Sequence, residues 1–351
     1  MHPFARFAYA PAKIVDEILS GDEPVNATLY QHYSKNFRKA IEQVYHDGGG
    51  YDLKANTSRF AAHKAYQATQ RARLEFVDRT TGEILDRKKT ARATLAQFQA
   101  WQTAEYNTAV ARARTAKQWE IYTQPNRLRL FPNIKWLPSN SVERRPEHVK
   151  FYGRIWAKND PFWTENTPGT LWNCKCGMQE TTDDVTDNAD APAFTPPRGL
   201  EGNPGITGEI FTEKASYFQV GNKEKVEKMT YSVARNVALL DALKEIKGKT
   251  VVKETKTGKI SVGFNRKGLE HLQHDYFPDK WYRDEILRDI DVFLEKSVYA
   301  DEAKYSGGNR MVGMFYYYKI ILLGKEWFFN VRELTDGSVY LYSLTDKIRR
   351  K

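Results

Sequence analysis

The stretch Asp160-Pro-Phe-Trp163, followed by Pro168-Gly-Thr-Leu-Trp-Asn-Cys-Lys-Cys176, guides the interpretation of the rest of the chain. It holds both cysteines and two of the eight tryptophans of the protein. Side chains alternate along an extended segment, so the spacing Cys174-x-Cys176 places both thiols on one side. A disulfide between such near neighbours is strained. Two interpretations remain: buried, reduced thiols, which we favour, or a shared metal ion or transient disulfide.

Two cysteines do not complete a tetrahedral zinc site. Further ligands have to come from elsewhere, and His148 and Asp160 are the nearest upstream candidates. A lone histidine on a predicted helix usually has a structural role. Cys174, Cys176 and His148 therefore remain candidates for a metal site, but we predict no cofactor.

Composition indicates a folded protein of more than one domain. The chain has 351 residues, with 41% hydrophobic and 13% aromatic residues, which is long for a single core. Its first 21 residues lack the pattern of a leader, and its longest apolar run, Met311 to Leu323, is too short to span a bilayer. We expect a soluble protein that is made in a cytoplasm and has no membrane contact. Two cysteines also argue against a secreted disulfide scaffold.

The positive charge is concentrated in the first half. Residues 1–178 contain 27 Lys and Arg against 17 Asp and Glu, which equals the whole net charge of +10. Such an excess favours a polyanionic neighbour such as nucleic acid, although a solvated basic surface explains it equally well. The charge alone therefore does not identify a partner.

Residues 179–208 have the composition of a linker. The segment contains six acidic residues and one basic residue, Arg198, and its four prolines alternate with glycines. Such a segment buries too little to offset its ordering entropy, so we expect it to be extended or mobile. We predict an α+β protein: a mainly helical domain with a small β element over 1–178, this linker, and an α+β domain over 209–351 with a twisted antiparallel sheet.

The first domain carries a resemblance to a known family. The stretch Glu143-Arg-Arg-Pro-Glu-His148, then Gly153, Asp160-Pro-Phe-Trp163 and the Trp-Asn-Cys-Lys-Cys ending resemble the phage Mu F-like minor head proteins. The resemblance covers about half the chain and ends near Met178. It implies a head-morphogenesis protein of the virion that meets portal and head proteins and the DNA in the head.

The last hundred residues predict two hairpins that place polar groups together. Runs at Met311 to Leu323, Glu326 to Thr335 and Ser338 to Leu344 are joined by Gly324-Lys325 and Asp336-Gly337, and two-residue glycine turns fix the register of hairpins. With both loops two residues long, Lys319 lies opposite Asn330, Tyr317 opposite Arg332, Arg332 opposite Leu341 and Asn330 opposite Ser343, and all six share one face. The other face, with Tyr316, Tyr318, Ile320, Phe329, Val331, Tyr340 and Tyr342, forms the core. The polar face is typical of an anion site, or of solvated cross-strand neighbours.

His271 and His274 lie three residues apart on a predicted helix, so they share one side of it. One imidazole can accept a proton and another can donate one, while Lys or Arg stabilises a pentacovalent phosphate without a metal. This is the chemistry of RNA cleavage by the 2′-hydroxyl. Two ordinary surface histidines are the alternative.

The second domain resembles the barnase, EndoU, colicin and RelE-like nucleases, in which a helical start with histidine precedes a twisted sheet bearing Lys, Arg and Ser. The resemblance implies His271 or His274 as general base or acid, Lys319 and Arg332 as phosphate clamps and Ser343 as an orienting hydroxyl. We place Asn330 and Tyr317 among the nucleic-acid contacts. The implied protein is a phage minor head protein with a metal-independent ribonuclease, active in the bacterial host cytoplasm, and an antidote protein is a further partner to consider. The alternatives are a purely structural head protein and a toxin without a virion role.

Overall fold

The computed structural model describes residues 10–74, 78, 80–191, 194–305 and 311–348. It contains both helices and strands, which confirms the α+β class. The chain forms two compact units, Met1–Ala234 and Arg235–Lys351. This division differs from the expected one, because residues 179–208 belong to the first unit instead of separating two domains.

Helices make up most of the first unit: α1 (Ala10–Ser20), α2 (Ala27–Glu42), α3 (Tyr51–Leu74) and α4 (Arg87–Tyr122). The side chain of Asn26 caps α2 by accepting a hydrogen bond from the Leu29 amide. Apolar residues recurring every three or four positions give α2 its buried face, with Phe37 fully buried. No helix among the described residues is both long and apolar enough to cross a membrane.

A small sheet follows these helices. Its strands are β1 (Asn133–Leu137), β2 (Ile155–Ala157) and β3 (Gly177–Thr181), in the order β2-β1-β3, all antiparallel. The short helix α5 (Pro125–Leu130) precedes β1, and two more, α6 (Pro146–Val149) and α7 (Phe162–Glu165), lie between the strands in the chain. A single hydrophobic cluster contains Trp136, Phe151, Trp156, Trp163, Cys174, Cys176 and Met178. The stretch from Asp160 to Cys176 therefore contributes residues to this core.

The predicted linker is folded along much of its length, which corrects the expectation of an extended tether. It includes the end of β3 and all of α8 (Pro204–Thr207), and Leu200 and Asn203 are fully buried. The guanidinium group of Arg112 in α4 donates hydrogen bonds to the Leu200 and Glu209 carbonyls at 2.8 and 3.1 Å. Composition did not predict this folding, because the backbone carbonyls of the segment obtain their hydrogen-bond donor from Arg112, a residue distant in the sequence.

A short 3₁₀ helix (Ser216–Phe218) precedes α9 (Lys223–Glu245), within which the two units divide. The second unit then contains β4 (Thr250–Glu254), β5 (Lys259–Gly263), α10 (Arg266–His274), α11 (Lys280–Arg288) and α12 (Ile290–Lys296). Strands β6 (Val298–Lys304), β7 (Val312–Leu322), β8 (Lys325–Leu334) and β9 (Val339–Thr345) complete it. The six strands form one sheet in the order β4-β5-β9-β8-β7-β6. It is mixed and not purely antiparallel, because β5 and β9 run parallel.

The hairpin β7–β8 turns one position earlier than expected. Leu322 pairs with Lys325, so Leu323 and Gly324 form the turn, and Leu323 adopts a left-handed φ of 49°. The register therefore differs by two residues, with Tyr317 opposite Asn330 and Lys319 opposite Phe328. A shift of two keeps every side chain on its expected face. The predicted pair of Asn330 and Ser343 across β8 and β9 is confirmed, whereas Arg332 pairs with Tyr340 and not with Leu341 as expected.

Candidate functional site

Helix α10 lies unusually close to strand β9. Asn265 caps its first turn by accepting from the Gly268 amide at 2.8 Å, and Asp275 at its end accepts from the Leu344 amide at 3.0 Å. Gly268 allows the approach, because a Cβ there would overlap the Leu341 carbonyl oxygen. The close packing of Gly268 against Leu341 and the bond between Asp275 and Leu344 hold the helix, and with it His271, over β9.

His271, Tyr342 and Arg332 form a connected cluster, which we call the His–Tyr–Arg cluster. The His271 Nε2 atom lies 2.5 Å from the Tyr342 hydroxyl oxygen. The guanidinium carbon of Arg332 lies 3.0 Å from the centre of the Tyr342 ring and 5.2 Å from that of Phe315. Burial lowers the pKa of Arg332, which is half-buried and has a buried Nε without a hydrogen-bond partner among the described residues. A base, a hydroxyl and a cation therefore meet at one place.

A β-bulge brings Tyr342 into this cluster. Asn330 pairs with Ser343 and Val331 pairs with Leu341, so Tyr342 is the extra residue on β9. Such a bulge re-aims a side chain relative to strict alternation. The expectation that Tyr342 belongs to the core face was therefore wrong, since its ring lies against Arg332 and His271. The alternation of residues in the sequence does not predict this bulge.

Asn330 and Ser343 lie beside the cluster and are both buried. The Asn330 amide donates to the Ser343 hydroxyl at 2.7 Å and to the Thr345 hydroxyl at 3.2 Å. The Ser343 hydroxyl accepts this bond, so its own proton is free to point elsewhere. The Asn330 carbonyl oxygen is buried and has no partner among the described residues.

Three other predicted site residues do not join the cluster. Lys319 forms an exposed ion pair with Glu326 at 2.9 Å, and it lies four residues along β7 from the position opposite Arg332, about 13 Å away. His274 accepts a hydrogen bond from Arg235 at 2.7 Å. Tyr317 is only 3% exposed, so its ring is not available for stacking on a base. Of the two expected phosphate-binding cations, only Arg332 belongs to the cluster. Of the two histidines, only His271 does.

Gly268→Ala tests how the cluster is positioned. The added methyl group forces α10 away from β9, and we expect a loss of about 1 to 3 kcal/mol in the free energy of unfolding. Urea unfolding measures it, with Lys267→Ala as the control, because that neighbouring side chain is exposed. Equal stability of the two variants would show that the close approach has no energetic role.

A second group of reactive side chains lies in the first unit. The Nδ1 atom of His148 lies 3.4 Å from the sulfur of Cys174 and 3.6 Å from that of Cys176. All three residues are buried, and the hydrogen bond with Cys176 lowers the pKa of the Cys174 thiol. Both cysteines are free thiols. Asp160, the other predicted ligand, instead accepts from the Phe162 amide at 2.8 Å and caps a turn.

Comparison of the chain with protein-family models, with curated proteins and with solved structures gives no match in any of the three. The case for a function therefore rests on the side chains of this protein.

Proposed function

We propose that the second unit cleaves RNA by attack of the 2′-hydroxyl, without a metal ion. The observation that carries the proposal is the contact of His271 with Tyr342 beneath the guanidinium group of Arg332. General acid–base catalysis requires a proton acceptor and a proton donor, each within hydrogen-bond reach of the substrate atom with which it exchanges a proton. A fixed cation stabilises the charge that develops on a phosphorane.

Each group then has a role. His271 accepts the proton of the 2′-hydroxyl while the 2′-oxygen forms its bond to phosphorus. Tyr342 donates its proton to the 5′-oxygen, whose bond to phosphorus breaks, so the products are a 2′,3′-cyclic phosphate and a 5′-hydroxyl. The proton on His271 passes to Tyr342 across their 2.5 Å contact, which restores both groups. Arg332 binds the phosphate throughout, and Ser343 donates its free proton to it.

Full-length protein incubated with labelled structured RNA in the presence of a chelator tests the proposal. We expect cleavage fragments ending in 2′,3′-cyclic phosphate and no cleavage of the matching DNA, which lacks the attacking hydroxyl. His271→Ala is expected to lower the rate about 10²- to 10⁴-fold, and Arg332→Ala about 10²- to 10³-fold. Tyr342→Phe keeps the ring and removes only the proton donor.

His274→Ala is the matched control, since His274 lies on the same helix but contacts Arg235. It is expected to cleave at the wild-type rate. Absence of cleavage with every RNA tried, or undiminished cleavage by His271→Ala, would exclude the enzyme. Circular dichroism of each variant separates loss of chemistry from loss of fold.

Binding without chemistry is the second candidate, and the separation of Lys319 and His274 from the cluster favours it. One histidine and one arginine beside an aromatic ring are sufficient to hold a phosphate and stack a base. On this alternative, a 2′-O-methyl RNA binds as well as unmodified RNA, Arg332→Ala weakens both, and neither is cut.

For the first unit we propose a place in a phage head, near the portal and the packaged DNA, with the second unit delivered into the host cytoplasm. What supports this is that several residues carrying the resemblance lie in or against one core: Trp163, Cys174 and Cys176 belong to it, and His148 packs against Trp136. Mass spectrometry of purified particles tests the proposal. Absence of the protein from particles would favour a toxin without a virion role, and an antidote protein would then be sought by co-purification.

A further inference from the structure

The positions of His148, Cys174 and Cys176 match the ligand spacing of a zinc ion. Their three donor atoms lie within 4.8 Å of one another. Zinc binds nitrogen at about 2.0 Å and sulfur at about 2.3 Å, so tetrahedral angles place these atoms about 3.5 Å apart. The observed distances from His148 Nδ1 to the two sulfurs, 3.4 and 3.6 Å, bracket that value.

A hydroxyl group fixes the tautomer of His148 that a metal requires. Thr170 donates its only proton to the Thr167 carbonyl at 2.8 Å. Its oxygen, 3.3 Å from His148 Nε2, must therefore accept a proton from that nitrogen. The other nitrogen, Nδ1, then presents a lone pair to both sulfurs. A histidine ligand whose second ring nitrogen donates a hydrogen bond to a neighbouring acceptor is typical of metal sites.

In the metal-free arrangement, both sulfurs lie against one nitrogen of His148. That nitrogen has one lone pair and accepts one thiol proton, from Cys174 at 3.4 Å, while the Cys176 thiol donates to the Tyr152 hydroxyl at 3.8 Å. The surroundings are apolar, since Trp136 and Phe151 pack against the His148 ring. A single cation binds all three donor atoms together, in place of two separate thiol hydrogen bonds at 3.4 and 3.8 Å.

The same three residues line one wall of a cleft of about 560 Å³. Its other lining residues include Ser139, Glu143, Arg145, Tyr152 and Asn173. We infer that His148, Cys174 and Cys176 bind one zinc ion, with the fourth coordination position facing this cleft. Three protein ligands with an open fourth position differ from the closed four-ligand sites that serve structure alone.

Metal analysis of full-length protein, produced with zinc in the medium and dialysed against metal-free buffer, tests the inference. We expect one zinc per chain, and none in Cys174→Ser or in His148→Ala. Replacement by cobalt is expected to give the thiolate charge-transfer and visible bands of a tetrahedral site. Thiol titration is expected to detect the two cysteines only after a chelator is added.

Two variants keep the test informative if ligand changes disturb folding. Thr170→Val preserves shape and all three ligands but removes the acceptor behind His148, and we expect about 10- to 100-fold weaker zinc binding in chelator competition. Lys175→Ala, an exposed residue between the cysteines, is the control and is expected to bind as wild type. Protein with intact thiols that takes up neither zinc nor cobalt would overturn the inference. Full metal content in Cys174→Ser would overturn it equally, because the ion would then lie elsewhere.

Discussion

Replacing Arg112 with methionine is expected to lower the free energy of unfolding of the first unit by about 4 kcal/mol, because four backbone carbonyls lose a charged donor. The side chain is completely buried. Its two terminal nitrogens reach the carbonyls of Leu200, Glu201, Gly202 and Glu209 at 2.8 to 3.3 Å. Urea unfolding followed by helical circular dichroism measures the loss.

The same variant also has a local signature. Amide hydrogen exchange over residues 199–212 is expected to accelerate more than exchange in α2, because Arg112 anchors that loop directly. Arg114→Met is the matched control, because Arg114 lies two residues after Arg112 on the same helix and is exposed. We expect it to change stability by at most about 0.5 kcal/mol. Similar effects of the two substitutions would contradict the anchoring role.

Replacing Lys64 with methionine is expected to cost about 3 to 5 kcal/mol, because it leaves the Glu105 carboxylate buried without its cation. Lys64 is fully buried and Glu105 is 4% exposed. Lys64 pairs with Glu105, donates to Gln102 at 2.9 Å and lies over the Tyr33 ring at 4.5 Å. The remaining hydrogen bond of Glu105, from the Tyr217 hydroxyl at 3.0 Å, does not replace a positive charge.

Two further variants isolate the cause. Lys64→Met combined with Glu105→Leu removes both charges, and we expect it to recover much of the loss. Lys88→Met breaks the pair between Lys88 and Asp16, whose side chains are 61% and 57% exposed, and is expected to cost at most about 1 kcal/mol. A double variant no more stable than Lys64→Met would show that packing and not the stranded charge sets the cost.

Local pattern was sufficient for the last three strands of the second unit, but it did not predict β6. Alternation of period two identified β7, β8 and β9. The pair of Asn330 and Ser343 was predicted correctly, but between the turn and the bulge the β8–β9 register differs by one residue, so Arg332 pairs with Tyr340. The face that carries Arg332 was also predictable, because the two-residue shift of the β7–β8 register leaves faces unchanged. The roles assigned to these residues stay predictions until the ribonuclease assay is done.

Contacts that depend on distant parts of the chain were not predictable. Tyr342 reaches Arg332 through a bulge, which composition and spacing do not encode. Lys319 was placed in an anion site, but Glu326 on the neighbouring strand neutralises it. His271 and His274 share one helix, yet one contacts β9 and the other contacts α9. In each case the partner is chosen by packing of another element.

The sequence by itself determined the α+β class, the hairpins and the unusual density of tryptophan and cysteine near Cys174, because these follow from alternation, turn residues and composition. Only the tertiary structure decided that acidic residues after Thr181 fold back within the first unit, that Tyr342 joins His271 and Arg332, and that His148 meets both thiols. The physical reason is the range of the interactions. Strand alternation is set by neighbours along the chain, whereas a buried guanidinium, a bulge and a three-residue donor cluster exist only once remote segments pack together.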